Sequence, residues 1–101
     1  METDPMLLPE NGPPTHPGEF VLYSFMLPSD ITLTALASSM GIPREEARML
    51  IDGEIACTPR LAEKLATALE TEAEFWLSAQ SIYDAWLKRE GLYESYYLAA
   101  N

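Results

Sequence analysis

The sequence predicts an all-α domain of five helices. Apolar residues recur at positions i, i+3, i+4 and i+7 in several separate stretches, which is the period of an amphipathic helix. Thr or Pro stands where most of these stretches begin, and Gly where several of them end, as expected for helix caps. We find no stretch with the strict alternation that would predict a strand, and no internal repeat.

The first predicted helix begins at His16-Pro17-Gly18-Glu19. Proline suits the first helical position because its missing N–H would have no partner there, and Glu19 can reach back to the free amides. The predicted buried face carries Phe20, Tyr23 and Leu27. A lone histidine without a second His or a paired Cys is more typical of a cap or loop residue than of a metal ligand, so we expect no metal site.

Residues 31–53 predict two short helices joined by a tight turn. Thr32 suits the N-cap of the first helix, Gly41 suits the left-handed conformation that ends it, and Ile42 can then plug the turn. Such a pair is a helix-turn-helix. The buried positions are Leu33, Leu36, Ala37 and Met40 in the first helix and Ala47, Leu50 and Ile51 in the second. The outward face of the second helix carries Arg44, Glu45, Arg48 and Met49.

The fourth helix is predicted to begin at Thr58 and Pro59, as N-cap and first helical residue. Its buried stripe would be Ala62, Leu65, Ala66 and Leu69. Arg60 and Lys64 then lie on the outside, where they could contact phosphates. An ion pair with Glu63 or with a neighbouring helix is an equally good explanation.

The fifth helix is predicted to begin with a capping box at Thr71-Glu72-Ala73-Glu74. Its apolar stripe is broader and more aromatic than one face of a small domain needs, so it combines core packing with a possible subunit interface. We expect the dimer interface to include Phe75, Trp76, Ala79, Tyr83 and Trp86. Gly91 ends the helix, and the aromatic tail Leu92–Leu98 could pack on the core or on a second subunit.

Length and composition predict one domain with short extensions at both ends. Prolines and the absence of periodicity make residues 1–15 a flexible N-terminal arm, residues 16–90 form the domain, and 91–101 the aromatic tail. The single Cys57 allows no internal disulfide, which fits a reducing compartment. We see no membrane-length apolar run and no signal peptide, so we expect a cytoplasmic protein.

The net charge of −10 is unfavourable for a protein that binds phosphates. Its distribution reduces the conflict, because residues 31–68 carry five acids against four basic residues. Most of the acid therefore lies outside the helix-turn-helix. Catalytic motifs are missing: Cys57 has no base near it in sequence, and we find no phosphate-binding glycine loop and no metal-ligand spacing. We expect no enzyme activity and no cofactor.

From His16 to about Trp86 the chain resembles the HigA/VapI branch of antitoxins within the lambda-repressor-like (XRE) helix-turn-helix family. The opening His16-Pro17-Gly18-Glu19 is similar to the HPGE of that branch. The frame from Leu36-Ala37 through Gly41-Ile42 to Leu50-Ile51-Asp52-Gly53 is similar to its LA…LGV…LLNG. Glu74-Phe75-Trp76-Leu77, with Gln80 and Tyr83-Asp84, resembles its EFWL..Q..YD helix. The three motifs occur in order and at matching spacing over about seventy residues.

The resemblance implies a five-helix domain that dimerises, binds a palindromic operator in double-stranded DNA and represses its own operon. It also implies neutralisation of a small basic ribonuclease toxin of the RelE type. On this model Arg44, Glu45, Arg48 and Met49 would face base edges, with Arg44 and Arg48 the best candidates for reading guanine. Thr32 would contact a phosphate, and Arg60 and Lys64 could add further phosphate contacts.

The chain departs from the family pattern around the second helix of the motif. Pro43 replaces the usual Ser, Met49 replaces a polar or basic residue, and Glu54-Ile55-Ala56 replaces basic residues. Glu45 and Glu46 would repel phosphate. The alternative function is therefore an acidic, non-DNA-binding module that uses the same fold to cover a basic toxin or another cationic partner. A structural interaction protein, suggested by the aromatic stripe alone, is a third possibility.

Overall fold

A computed structural model describes residues 13–99. Their backbone forms six helices and no strand, which confirms the all-α prediction. The bounds are α1 Pro17–Ser29, α2 Leu33–Met40, α3 Arg44–Ile51, α4 Pro59–Leu69, α5 Ala73–Arg89 and α6 Tyr93–Ala99. The predicted arm, residues 1–15, lies outside the described residues apart from Pro13, Pro14 and Thr15.

The core forms where α1 packs on α3 and α5, and where α4 packs on α2 and α5. Trp76 of α5 is completely buried in this core. All the apolar positions predicted for α2 and α3 are buried except Leu33, which is partly exposed. The fully buried side chains contributed by the other helices include Val21, Leu61 and Leu65. The hydrophobic pattern therefore predicted the packing of the helix-turn-helix well.

The face predicted for α1 is wrong at two of its three residues: Phe20 packs against the core, but Tyr23 and Leu27 do not. Tyr23 and Leu27 are 63% and 59% exposed, whereas Val21 and Met26 are buried. Residues Leu22–Met26 form a π-helical turn inside α1. A π turn adds one residue to the local repeat, so every side chain after it is rotated from the face that a period of 3.6 assigns.

The capping box predicted at the start of α5 is also wrong. Glu72 is the N-cap residue, and its side chain makes no capping hydrogen bond. The Thr71 hydroxyl instead accepts a hydrogen bond of 2.7 Å from Nε1 of Trp76. Thr71 therefore satisfies the one polar group of the largest buried side chain, which a cap prediction from sequence does not consider.

The aromatic tail forms a sixth helix, α6, which is not among the five predicted helices. It packs on α5 of the same chain. The Tyr96 hydroxyl lies 2.9 Å from Nε2 of His16 and donates a hydrogen bond of 3.1 Å to the Gly53 carbonyl. Of the two positions left open for the tail, the structure therefore supports packing on its own domain.

Among the described residues, no single helix is long and apolar enough to cross a membrane. The required length and composition are reached only when Pro17–Ser29 and Leu33–Met40 are taken together, and these two are bent by 113° relative to each other.

Candidate nucleic-acid interface

The helix-turn-helix of α2 and α3 has the caps and turn that its sequence predicts. The Thr32 hydroxyl accepts a hydrogen bond of 3.0 Å from the Ala35 N–H at the start of α2. Gly41 ends α2 in the left-handed region, at a φ of 70°. The N–H of Ile42 then donates to the Ala37 carbonyl, and its side chain is buried beneath the turn. These contacts fix the angle at which α3 leaves α2.

The outward face of α3 carries the four residues predicted to face DNA. Arg44 and Glu45 are exposed, and Arg48 and Met49 are partly exposed. The N-cap residue of α3 is Pro43, which makes no side-chain cap, so the first amides of the helix depend on Glu45 and Glu46 for compensating charge. All four predicted residues therefore share one accessible surface, as a reading helix requires.

Arg44 is positioned by a residue of α2. Its Nε donates a hydrogen bond of 3.0 Å to the Thr34 hydroxyl. Among residues 13–99, no carboxylate lies within ion-pair distance of its guanidinium. Thr34 was not singled out from the sequence, because a contact between two helices depends on how the turn orients them. The two Nη groups remain available for a ligand.

Arg48 has a very different environment, because three carboxylates surround it. Its Nη2 lies 2.6 Å from Glu45, and its Nη1 lies 2.7 Å from Asp52 and 3.2 Å from Glu54. Nε also donates to Glu45, at 3.1 Å, so that this pair is bidentate. We call Glu45, Asp52 and Glu54 the acidic clamp. The hydrogen bond from Arg48 lowers the pKa of the Glu45 carboxyl, and the bonds to Glu45 and Glu54 raise the pKa of Arg48.

Arg60 and Lys64 lie on the exposed side of α4, as predicted. Arg60 forms an ion pair of 2.7 Å with Glu46 of α3, which raises the pKa of the guanidinium. Of the two roles left open for Arg60, the ion pair with a neighbouring helix is therefore the one that the structure contains. Lys64 lines a polar cleft between α2 and α4, together with Ser39 and Glu63.

The turn that follows α3 is stabilised by hydrogen bonds that connect it to His16, before α1, and to Tyr96, in α6. His16 caps α1 through Nδ1, which accepts a hydrogen bond of 2.9 Å from the Gly18 N–H, and Glu19 completes the predicted capping box. Nε2 of His16 is hydrogen-bonded to the Tyr96 hydroxyl, which in turn donates a hydrogen bond to the carbonyl of Gly53. Sequence reasoning missed Tyr96, which is 80 residues from His16 and lies in the tail for which the sequence predicted no helix.

The aromatic stripe of α5 divides among three environments. Trp76 is entirely buried inside this chain, so it offers no surface to a second subunit. Tyr83 packs edge to face against His16 and lies beside Trp86 and Tyr96. Phe75 is 47% exposed, and with Ala79 it lines an apolar groove of about 290 Å³ between α1 and α5.

Cys57 and Gln80 connect α5 to the loop before α4. Gln80 is buried and accepts a hydrogen bond of 2.8 Å from the Cys57 N–H, while its amide donates to Asp84. Burial raises the pKa of the Cys57 thiol to about 12, so it is not an activated nucleophile. Within residues 13–99, no group of three His, Cys, Asp or Glu side chains is arranged to hold a metal ion.

Comparison with known proteins places this geometry in a family. No protein-family model matches the chain. Antitoxin HigA-1 of Vibrio cholerae is 41% identical over 73 residues, which cover 72% of this chain and 69% of that protein. The uncharacterized HTH-type transcriptional regulator YbaQ of Escherichia coli K12 is 33% identical over 73 residues, and the chain spans 65% of its length.

A solved structure agrees with these sequence relatives. The Pseudomonas aeruginosa antitoxin HigA, determined with the higBA promoter, superposes with a TM-score of 0.74 at 26% identity, over 77% of this chain and 85% of that one. The all-helical fold, the capped His16-Pro17-Gly18-Glu19 start and the helix-turn-helix match what the sequence resemblance implied, and α6 is a sixth helix beyond the five that it implied. The chain belongs to the HigA-type family of helix-turn-helix antitoxins.

Proposed function

We propose that the chain is a DNA-binding transcriptional regulator of the antitoxin type, which binds the operator of its own operon. The observation that carries this proposal is the accessible outward face of α3, with Arg44 at its first turn, in a helix-turn-helix whose first helix is capped by Thr32 and Gly41. In this arrangement the second helix enters the major groove and its exposed side chains meet base edges. The likeness to a HigA solved with its promoter supports the same function.

Contacts to phosphate would come from the start of α2. The Thr32 oxygen accepts its capping hydrogen bond from the Ala35 N–H, which leaves the hydroxyl proton free to donate to a phosphate oxygen. The free amides in the first turn of α2 point the same way as this hydroxyl. Lys64 adds a positive charge on the neighbouring helix, whereas Arg60 would first have to leave Glu46.

We propose further that the protein acts as a homodimer and neutralises a basic toxin of the RelE ribonuclease type. Two copies are needed to read a palindromic operator with two equivalent helices. The proposed dimer interface keeps Phe75, Ala79, Tyr83 and Trp86, of which Phe75 is exposed, Tyr83 and Trp86 are partly exposed and Ala79 is buried. A net charge of −10 favours fast association with a basic partner. We propose no enzymatic activity.

The direct test is binding of the purified protein to labelled DNA from upstream of its own gene, at about 50 and 200 mM salt. We expect saturable binding that exceeds binding to a scrambled fragment and weakens steeply with salt. Light scattering of the free and bound protein gives the number of copies. Equal affinity for both fragments at the lower salt would contradict the regulator function.

A second candidate function is an acidic module that binds only a cationic protein. The acidic clamp favours it, since all but one of the arginines on the α3 side of the domain are already paired with carboxylates. Co-purification with the basic product of a neighbouring gene, without any promoter binding, would identify this function.

A further inference from the structure

The two arginines on the outward face of α3 differ in how many of their N–H groups are free. Arg44 uses Nε to bind Thr34, and its two Nη groups bind no carboxylate among residues 13–99. Arg48 donates from all three of its nitrogens. Nε binds Glu45, Nη1 binds Asp52 and Glu54, and Nη2 binds Glu45 and Glu54. These bonds equal the five N–H groups that a guanidinium has.

A saturated guanidinium has no donor left for DNA. Reading a guanine takes two parallel N–H groups, and binding a phosphate uses the same fork. Arg48 therefore reaches either ligand only after it leaves at least one carboxylate of the clamp. Arg44 meets the same requirement with its two Nη groups, without breaking an ion pair.

We propose that Arg44 carries the base readout of α3 and that the acidic clamp of Glu45, Asp52 and Glu54 holds Arg48 back from DNA and lowers operator affinity. This inference rests on the proposed DNA-binding function. It separates two arginines that the sequence pattern treats as equivalent readers. It also assigns a role to Glu54, which stands where the family pattern has a basic residue.

The positions of the three acidic residues along the chain place their carboxylates around Arg48. Glu45 and Asp52 lie three residues before and four residues after Arg48, on the same side of the helix. Glu54 lies in the loop after α3, where its N–H donates a hydrogen bond of 2.8 Å to the Met49 carbonyl. The three carboxylates thus reach Arg48 from both ends of the helix without any distortion.

The charge of the clamp opposes phosphate as well. Three carboxylates against one guanidinium leave two negative charges on the face that would meet the DNA backbone. The Debye length is about 10 Å at 0.1 M salt, so these charges are poorly screened from a phosphate in contact with α3. Neutral amides at the three positions would remove the repulsion, and they would hold Arg48 less tightly because an amide oxygen is a weaker acceptor than a carboxylate.

The clamp is suited to a mutational test because it contributes little to folding. Its carboxylates are 67%, 49% and 50% exposed, and exposed ion pairs add little to stability. The test variant is Glu45→Gln/Asp52→Asn/Glu54→Gln. A matched control, Glu70→Gln/Glu72→Gln/Glu74→Gln, changes the net charge by the same amount at exposed positions around the start of α5.

The experiment measures the anisotropy of labelled promoter and scrambled duplexes against each variant, at about 50 and 200 mM salt. We expect the clamp variant to bind the promoter at least about tenfold more tightly than the wild type, with a salt slope steeper by about 0.9 for each Arg48 that gains a phosphate. The control should change affinity less than about threefold. Arg44→Ala should remove the preference for the promoter, and Arg48→Ala should leave that preference unchanged.

The outcomes separate this proposal from the one on which it rests. If the wild type prefers the promoter but the clamp variant binds no more tightly than the control, the clamp proposal is wrong and the regulator function stands. Loss of promoter preference in Arg48→Ala equal to that in Arg44→Ala would also overturn it. If no variant prefers the promoter, both proposals fail. Promoter binding by the clamp variant alone would support the clamp proposal and contradict the regulator function of the wild type.

Discussion

At the scale of single residues, His16 connects the start of the domain to its end. Its Nδ1 accepts a hydrogen bond from Gly18, so the neutral ring carries its proton on Nε2 and donates to the Tyr96 hydroxyl. That hydroxyl donates onward to the Gly53 carbonyl, next to the reading helix. Because desolvation is the main effect on this buried ring, the pKa of His16 is lowered from 6.5 to about 4.

The lowered pKa of His16 predicts a loss of stability in mild acid. The folded state favours the neutral ring, so this contribution is complete above pH 6.5 and is lost as the pH falls towards 4. The full shift corresponds to roughly 3 kcal/mol of unfolding free energy. Urea denaturation of the wild type and of His16→Asn, which keeps an N-cap acceptor, measures it at pH 7.5, 5.5 and 4.5. Parallel pH profiles for the two proteins would contradict the prediction.

The close packing around Gly18 predicts a loss of stability when a side chain is added there. A Cβ atom on Gly18 would overlap the Leu50 carbonyl oxygen and crowd Ile51, because α1 crosses α3 at this point. Gly18→Ala should therefore lower the unfolding free energy by about 3 kcal/mol. Gly41→Ala is the matched control: its Cβ would meet nothing within 4 Å, so only the left-handed backbone costs energy, about 1 kcal/mol. Equal losses in the two variants would show that α1 and α3 do not approach this closely.

Side-chain roles could be predicted from the sequence when the partner is close along the chain. The cap made by His16 and Glu19 and the N-caps at Thr32 and Thr58 follow from local spacing and are confirmed. The pairs of Arg48 with Glu45 and Asp52 also have helical spacing, although the sequence analysis assigned Glu45 and Arg48 to DNA and did not predict the pairs. The bond from Arg44 to Thr34 and the bond from Tyr96 to His16 do not, since they depend on how helices cross.

At the scale of secondary-structure elements, α6 stabilises the turn that follows α3 through the hydrogen bond from Tyr96 to the Gly53 carbonyl. Tyr96→Phe would leave the Gly53 carbonyl and Nε2 of His16 without their shared partner, at a cost of about 1–2 kcal/mol of unfolding free energy. Tyr93→Phe, on the same helix, should change it by less than about 0.5 kcal/mol. Urea denaturation of both variants distinguishes them. An undiminished stability in Tyr96→Phe would mean that α6 does not hold the turn in solution.

The elements themselves were predicted well where one helical period holds, as in α2 and α3. The face of α1 was predicted wrongly because the π turn at Leu22–Met26 shifts the register, and the residues of that turn give no clear warning in sequence. The tail was not predicted as a helix because α6 is short and its stability comes from contacts with α5 and His16.

At the scale of the whole molecule, the net charge of −10 predicts how the rate of association with a basic protein depends on salt. Association with a basic protein should be fast at low salt and slow steeply as salt rises, because opposite charges steer the encounter. Stopped-flow association with a basic ribonuclease of the proposed RelE type, at about 50 and 500 mM salt, measures this dependence. A salt-independent association rate would exclude charge as the basis of partner choice.

The proposed placement of α3 in the major groove, with Arg44 at guanine, is tested most directly by methylation interference on the promoter duplex. Guanine N7 faces the major groove, so a methyl group there blocks an arginine that reads the base. We expect interference at guanines in two half-sites whose centres are about one helical turn apart, and its loss in Arg44→Ala. Specific binding that is unaffected by N7 methylation in every half-site would show that α3 does not read DNA in this way.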